Sequence, residues 1–333
     1  MSRVSKPARG FVLPVTVILL ALVAVGVGLM ATRSDQMQSL VATARQEQRA
    51  TQDLQDALAQ VLYASSVLYR RGGRMGEIAI DGRHYRLANG TVVRLQDAAG
   101  LFNLRRATRL ELLRLMRAFG VEDRLADRLA DTLLDYVDPD DLNRLNGAEA
   151  REYAAAGRAP PRNARLLTPT ELLRVLGWDA LKPQQQRALL DQVYMGPNRV
   201  LNRYTATGPA ISAVSGADTA FAADLVAQRG ADLPLRVDSL PDIATGSFLA
   251  AGRYSMMPSA TLLVTLCPPA VAWCEHLAIS SVSTDPRSPW HIAHQLRLPR
   301  LKPLPDAASL TLLPDQPPDR PPPPLFSPMS GRP

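Results

Sequence analysis

Residues 11–31, FVLPVTVILLALVAVGVGLMA, form one apolar run of 21 residues with no charge. At 1.5 Å per residue, a helix of that length crosses a hydrocarbon layer about 30 Å thick. Polar positions then enter with helical spacing. Leu54, Leu58, Val61, Leu62, Ser65 and Leu68 recur at three- and four-residue steps, with Ser65 as the one polar break. That is a single buried stripe on a helix. The 43 residues between Gly28 and Gly72 contain neither Gly nor Pro, and the Gln, Ala, Leu and Arg that fill the stretch are good helix formers. The pattern predicts one helix of about sixty residues. Its first third spans the membrane, and its last third packs on a folded domain.

The period then changes. Residues 77–96, EIAIDGRHYRLANGTVVRLQ, alternate in short runs broken by Asp81-Gly82 and Asn89-Gly90, both strong hairpin dipeptides. Antiparallel strands are expected at about 77–80, 83–87 and 91–96. From Asp97 to Arg236 the pattern is helical, with a Thr168/Glu171 capping box ahead of ELLRVLG. Alternation returns in TLLVTL (261–266), HLAISSV (276–282) and WHIAHQLRL (290–298). The fold class is therefore α+β, with a sheet interrupted by a large all-α insertion. The expected segments are a leader at 1–10, a membrane helix at 11–31 and its continuation at 32–71. The first part of the sheet follows at 72–96, the insertion at 97–236, the rest of the sheet at 237–300 and a tail at 301–333. From Lys302 onward 11 of 32 residues are Pro, which predicts an extended, disordered tail.

The insertion contains a faint repeat. FNLRRAT at 102–108 and LNRYTAT at 201–207 both place Ala-Thr four residues after Asn. Each is followed by an apolar helix, a Gly turn (Phe119-Gly120-Val121; Ser215-Gly216-Ala217) and a helix with an Ala-Asp pair (Ala126-Asp127; Ala223-Asp224). Each copy reads as helix–hairpin–helix. Such units bind DNA phosphates through turn N–H groups, or serve as packing units. Here Glu122, Asp123 and Asp218 occupy the turns and would repel phosphate.

Composition narrows the chemistry. The net charge of +7 is too modest to name a partner, and 2 Cys and 4 His argue against a Cys-rich zinc module or multi-histidine metal catalysis. His291 and His294, three apart in a strand, are expected on opposite faces and so form no metal pair. No Gly-x-Ser-x-Gly, phosphate-cradling Gly loop or His-Glu-x-x-His is present. The basic flank of Arg3, Lys6 and Arg9 keeps the start of the chain in the cytoplasm and the bulk outside it. A cleaved secretory signal has a shorter apolar region and a small-residue cleavage site. The sequence after residue 31, TRSDQMQSL, lacks that site.

In the acidic segment, Asp138, Asp140, Asn146 and Glu149 fall at positions 1, 3, 9 and 12 of a twelve-residue oxygen-ligand loop. Leu142 and Asn143 stand at positions 5 and 6, where an EF-hand needs an oxygen ligand and Gly. The segment reads either as clustered carboxylates for a hard cation, with Asp135 and Asp141 in reserve, or as a solvated acidic turn. Cys267 and Cys274 bracket CPPAVAWC. They form a short disulfide loop in an oxidising compartment or remain two thiols.

The leader MSRVSKPARG ending in Gly10, with Phe11 opening the apolar run, resembles a type IV prepilin leader. The stretch DAAGLFNLRRAT, then DYVDPDD, NGAEAREY, NARLLTPTELLRVLG and LNRYTAT, in that order, resembles the K-type minor pseudopilin family of type II secretion. Tyr204 stands where that family's last motif has a second Asn. Val15 stands where most pilins carry Glu, a lack known in the K branch. The resemblance implies a pilin-like fold with a large helical insertion. It also implies cleavage between Gly10 and Phe11 by prepilin peptidase with methylation of Phe11, and calcium held by the insertion, with Asp138, Asp140 and Glu149 as the preferred ligands. It implies a single-pass inner-membrane protein with its bulk in the periplasm. Its partners would be the I- and J-type minor pseudopilins, the major pseudopilin and the inner-membrane secretion platform. The expected function is a non-enzymatic tip subunit that nucleates the pseudopilus and limits its growth during export across the outer membrane. The alternatives are a DNA-handling pilin-like protein and a signal-anchored periplasmic enzyme.

Overall fold

The computed structural model describes residues 12–68, 70–196, 200–229, 233–244, 252–282, 288–300 and 303–313. Two compact units are present, residues 1–53 and residues 54–333. The first is helical throughout its described part. It holds most of α1, Val12–Val67, a single helix of 56 residues. It runs through Thr32 unbroken, with the Thr32 hydroxyl donating to the Leu29 carbonyl at 2.9 Å. Most apolar side chains of the first unit are exposed, Leu20 by 69% and Leu22 by 62%. This is the one helix among the described residues long and apolar enough to cross a membrane.

The second unit begins with the last turns of α1. Leu54, Ala57 and Val61 are buried, with Leu58, Leu62 and Leu68 half-buried beside them. The stripe survives its polar position because the Ser65 hydroxyl donates to the Val61 carbonyl at 2.7 Å, which satisfies it within the helix. The stripe covers one face of a six-stranded sheet made of β1 (Asp81–Arg86), β2 (Val92–Asp97), β3 (Thr261–Cys267), β4 (Trp273–Ser280), β5 (His291–Pro299) and β6 (Thr311–Leu312). The order is β5-β4-β3-β2-β1-β6, with β6 parallel to β1 and the other pairs antiparallel. Ile80, Leu95, Leu262, Val264, Leu277 and Ile279 supply the sheet side of this core.

Asn89-Gly90 turns the chain between β1 and β2, with Gly90 at φ +84° and the Thr91 carbonyl accepting from Leu87 N–H at 2.9 Å. Asp81-Gly82 does not make a hairpin, contrary to the sequence expectation. Gly82, at φ +89°, sits in an irregularity between Asp81 and His84 where β1 shifts register on β2. The strand expected at 77–80 is reduced to Ile78–Ala79 and pairs with Arg74–Met75 instead. A second bulge, in β5, pairs His291 with Ser280 and His294 with Ala278. Those two partners are two residues apart on β4, so both histidines fall on one face, not on opposite faces.

The tail expected to be disordered from residue 301 carries structure at 303–313. Leu304 and Leu310 pack on Val92, Cys267 and Cys274, β6 then pairs with Tyr85 and Arg86, and Leu313 is buried in the sheet core. Pro-rich composition hid three leucines spaced to reach fixed apolar positions. Cys267 and Cys274 are joined as a disulfide across the β3–β4 hairpin. The segment after residue 313 lies outside the described residues.

The insertion leaves the sheet after Asp97 and has its own core around Leu112, Leu115, Met116, Leu129, Trp178 and Ile211. Its main helices are α2 (Arg109–Ala118), α3 (Asp123–Val137), α4 (Ala150–Ala155), α5 (Pro183–Leu190), α6 (Gly208–Ser215) and α7 (Thr219–Gln228). The repeat is real. α2 and α3 form one helical hairpin and α6 and α7 the other, with Gly120 and Gly216 both at positive φ in the turns. The segment 169–174 is a 3₁₀ helix without a side-chain cap, so the Thr168/Glu171 capping box does not form. Glu171 instead accepts from Arg162, Tyr136 and the Leu167 N–H. A capping box does lie at the start of α2. There Glu111 accepts from Thr108 N–H at 2.8 Å, and Thr108 Oγ1 accepts from Glu111 N–H at 3.3 Å.

Candidate functional site: the root of the insertion and its acidic loop

The two copies of the repeat begin in the same way. Asn103 accepts from the N–H of Arg105, and Asn202 from that of Tyr204, each at 3.0 Å, so each Asn fixes the turn that launches its first helix. Their amide groups then bind distant segments, that of Asn103 within the insertion and that of Asn202 back to the sheet. Asn103 donates to the Gly196 carbonyl at 2.9 Å. Asn202 donates to the Gly72 carbonyl at 3.0 Å and to Asp97 Oδ2 at 2.7 Å.

Asp97 is the hub of this root. It is 1% exposed, and Oδ2 also accepts from Thr205 Oγ1 at 2.9 Å. Oδ1 accepts from Ser259 N–H, Ser259 Oγ and Ala99 N–H at 2.9, 2.7 and 3.2 Å. One buried carboxylate thus joins the end of β2, the start of the second repeat and the segment entering β3. Gly100 is required beside it, since a Cβ there would overlap the Thr205 carbonyl and the Gln96 amide, and Gly100 O accepts from Thr207 N–H at 2.9 Å. The Asp-x-x-Gly-x-hydrophobic-Asn motif is therefore the joint between sheet and insertion. On the same side of the sheet, His276 accepts from Arg187 of α5 at 2.5 Å. Burial and the neighbouring Arg187 and Arg94 push its pKa down to about 3, so it stays neutral.

The acidic loop follows α3. Asp135, on the last turns of α3, is fully buried. Its Oδ1 accepts from Arg144 Nη1 at 2.6 Å and its Oδ2 from Arg144 N–H at 3.1 Å. The same Arg144 Nη1 donates to Asp138 Oδ2 at 2.5 Å. Asp131 binds Arg109 and Asn146, and Asp141 binds Asn163. Gly147 is needed because a Cβ there would overlap Asp135 Oδ2. Glu149 precedes α4 and is 4% exposed, with no hydrogen-bond partner for either carboxylate oxygen; Asp138 Oδ1 also has none. Burial first, then Asp135, Asp138, Asp141 and Asp140, push the Glu149 pKa up to about 7.

The three preferred calcium residues are thus arranged unequally. Asp138 shares Arg144 with the buried Asp135, the reserve ligand by sequence spacing, and the charges of both act on Glu149. Asp140 turns away, its Oδ1 accepting from Leu142 N–H at 3.0 Å. Among the described residues no three His, Cys, Asp or Glu side chains are gathered closely enough to hold an ion as they stand. Arg144 lies between the carboxylates. Its role could have been read from a lone Arg inside an acidic loop. Gly10 and Phe11 lie outside the described residues.

The turns offer phosphate little. Gln185 donates to the Phe119 carbonyl at 3.1 Å, Asp123 pairs with Arg117 at 2.7 Å, and Asp218 caps α7 by accepting from Ala220 N–H. Both hairpins are occupied in packing and capping.

The architecture is α+β, with an apolar N-terminal helix and a sheet bearing an inserted helical domain, and it is similar to a chain in the crystal structure of the GspK–GspI–GspJ complex from the enterotoxigenic Escherichia coli type 2 secretion system. The TM-score is 0.51 and the identity 18%, over 80% of this chain and 98% of that one. At that identity the likeness establishes the fold. Residues 92–191, which contain Asp97, Asn103 and the acidic loop, match the family model described as type II secretion system (T2SS), protein K. Family match and fold together support a K-type minor pseudopilin of type II secretion, the family the motifs resemble. No curated protein matches the chain.

Proposed function

We propose that this protein is the tip subunit of a periplasmic pseudopilus, nucleating its assembly and limiting its growth during export across the outer membrane. The observation that carries the reading is the insertion rooted at Asp97. A domain with its own core is fixed to the sheet by a buried carboxylate with five hydrogen bonds, so it stands as a rigid obstacle to a subunit stacking above it. The absence of an acid at Val15 agrees, since a first subunit has no N-terminal amine ahead of it to neutralise. In this reading prepilin peptidase cuts between Gly10 and Phe11, Phe11 is methylated, and α1 anchors the chain in the inner membrane with the bulk in the periplasm. The exposed face of α1 packs with the I- and J-type minor pseudopilins and then the major pseudopilin. The role is structural, not enzymatic.

Calcium belongs to the same proposal. Two orphaned, buried Glu149 oxygens and one on Asp138 suit a hard cation, which takes six to eight oxygens. Asp135, Asp138 and Glu149 would hold it. The ion would supply two positive charges where carboxylates now face one another, and so order the loop.

Co-expression with the I- and J-type subunits tests the assembly role. The expected result is a stable heterocomplex with the whole chain, and overlong pseudopili when residues 97–236 are replaced by a short linker. Pseudopili of normal length with that deletion would remove the growth-limiting role.

A further inference from the structure

The acidic loop already contains a cation, and it belongs to the protein. Arg144 Nη1 sits between Asp135 Oδ1 at 2.6 Å and Asp138 Oδ2 at 2.5 Å, and the Arg144 N–H holds Asp135 Oδ2. The guanidinium carries one positive charge against the three carboxylates of Asp135, Asp138 and Glu149. It leaves both Glu149 oxygens and Asp138 Oδ1 buried without partners. Such atoms are costly to leave unpaired. A guanidinium has a planar fork of donors and, seated on Asp135 and Asp138, does not reach the third carboxylate. A divalent ion has no such directionality and gathers oxygens from all sides. The Arg144 side chain is 38% exposed, so it has a route to solvent.

We propose that Arg144 is a tethered counter-cation that competes with a divalent ion for Asp135 and Asp138, so that metal binding expels the guanidinium and re-sets the loop 138–147. The inference rests on the calcium reading above and adds the regulation of that site. A divalent ion seated on Asp135 and Asp138 would lie close to the guanidinium and repel it. The loop therefore has two arrangements, one closed on Arg144 and one closed on the metal. Leu142 and Leu145, 76% and 96% exposed, lie on either side of Arg144 and move with it. The ion would thus set how two apolar side chains are presented at the surface.

The experiment uses full-length protein in detergent, stripped with EGTA. Calcium titration calorimetry is run on the wild type, Arg144→Gln and Glu149→Gln, and Arg144 modification by phenylglyoxal is followed by mass spectrometry on the wild type with and without Ca²⁺. Arg144→Gln should bind Ca²⁺ about tenfold more tightly than the wild type, and Glu149→Gln at least about tenfold more weakly. Saturating Ca²⁺ should raise Arg144 modification severalfold, a readout that needs no variant to fold. Equal or weaker binding by Arg144→Gln, or unchanged modification at saturating Ca²⁺, overturns the competition and leaves the calcium reading intact. No binding by the wild type or Arg144→Gln removes the calcium reading and the competition with it.

Discussion

The two helical hairpins of the insertion share a plan and differ in what they carry. Both start from an Asn that caps a turn, and both bend at a Gly with positive φ. In the second, α7 has 10 residues and ends at Gln228. In the first, α3 has 15 residues, and the added length carries Asp135 into the acidic loop. The first hairpin gained a candidate ion site by extending one helix, while the second kept to the joint with the sheet through Asn202 and Asp97. The repeat is a scaffold, and the chemistry sits where one copy departs from it.

The largest effect should come from the joint. Asp97→Ala removes the acceptor of five hydrogen bonds and leaves one Asn202 amide hydrogen and the Thr205 hydroxyl without their partner in the interior. The expected loss is about 3–5 kcal/mol, read by urea denaturation. A loss under about 1 kcal/mol would show that the insertion is held by apolar packing instead.

The acidic loop should come next, through pH. The Glu149 pKa is about 7 in the folded chain, raised from its ordinary value of 4.5, so between those values the folded state binds more protons than the unfolded one. Stability of metal-free protein should therefore be highest below pH 4.5 from this group alone and fall as pH rises through 7, by on the order of 3 kcal/mol. Glu149→Gln should flatten that slope, and denaturation in EGTA at pH 5 and pH 8 measures it. A slope equal in both proteins would assign the pH dependence elsewhere.

The smallest effect separates the two Asn caps. Asn202→Ala loses a turn cap and two buried bonds, one to a carboxylate, and should cost about 2–3 kcal/mol. Asn103→Ala should cost about 1–2 kcal/mol. The reverse order would make the first hairpin the anchor.

Much of this was legible beforehand. The long helix, the Asn89-Gly90 turn and the repeat follow from local periodicity and from glycines that the backbone requires. The errors share a cause. Asp81-Gly82 reads as a hairpin, but the positive φ of Gly82 serves a bulge. Thr168 and Glu171 have the spacing of a capping box, but Arg162 and Tyr136 claim the carboxylate from distant segments. Asp140 fits a loop register that its own Asx turn to Leu142 defeats. The Pro content after residue 301 predicts disorder, and three leucines override it by reaching the disulfide and the sheet. At Glu171 and in the tail a contact remote in sequence decided the matter, and at Asp140 a local turn did.

The strap at 303–313 bears on how such sheets meet their neighbours. By lying alongside Tyr85 and Arg86, β6 occupies backbone groups that β1 would otherwise present as a template for another strand. The sheet is thereby polarised. The β1 side is sealed by the chain's own return, while the outer side of β5 remains without a strand among the described residues. Any growth by strand addition is confined to one flank, which guards the other against edge-to-edge fusion.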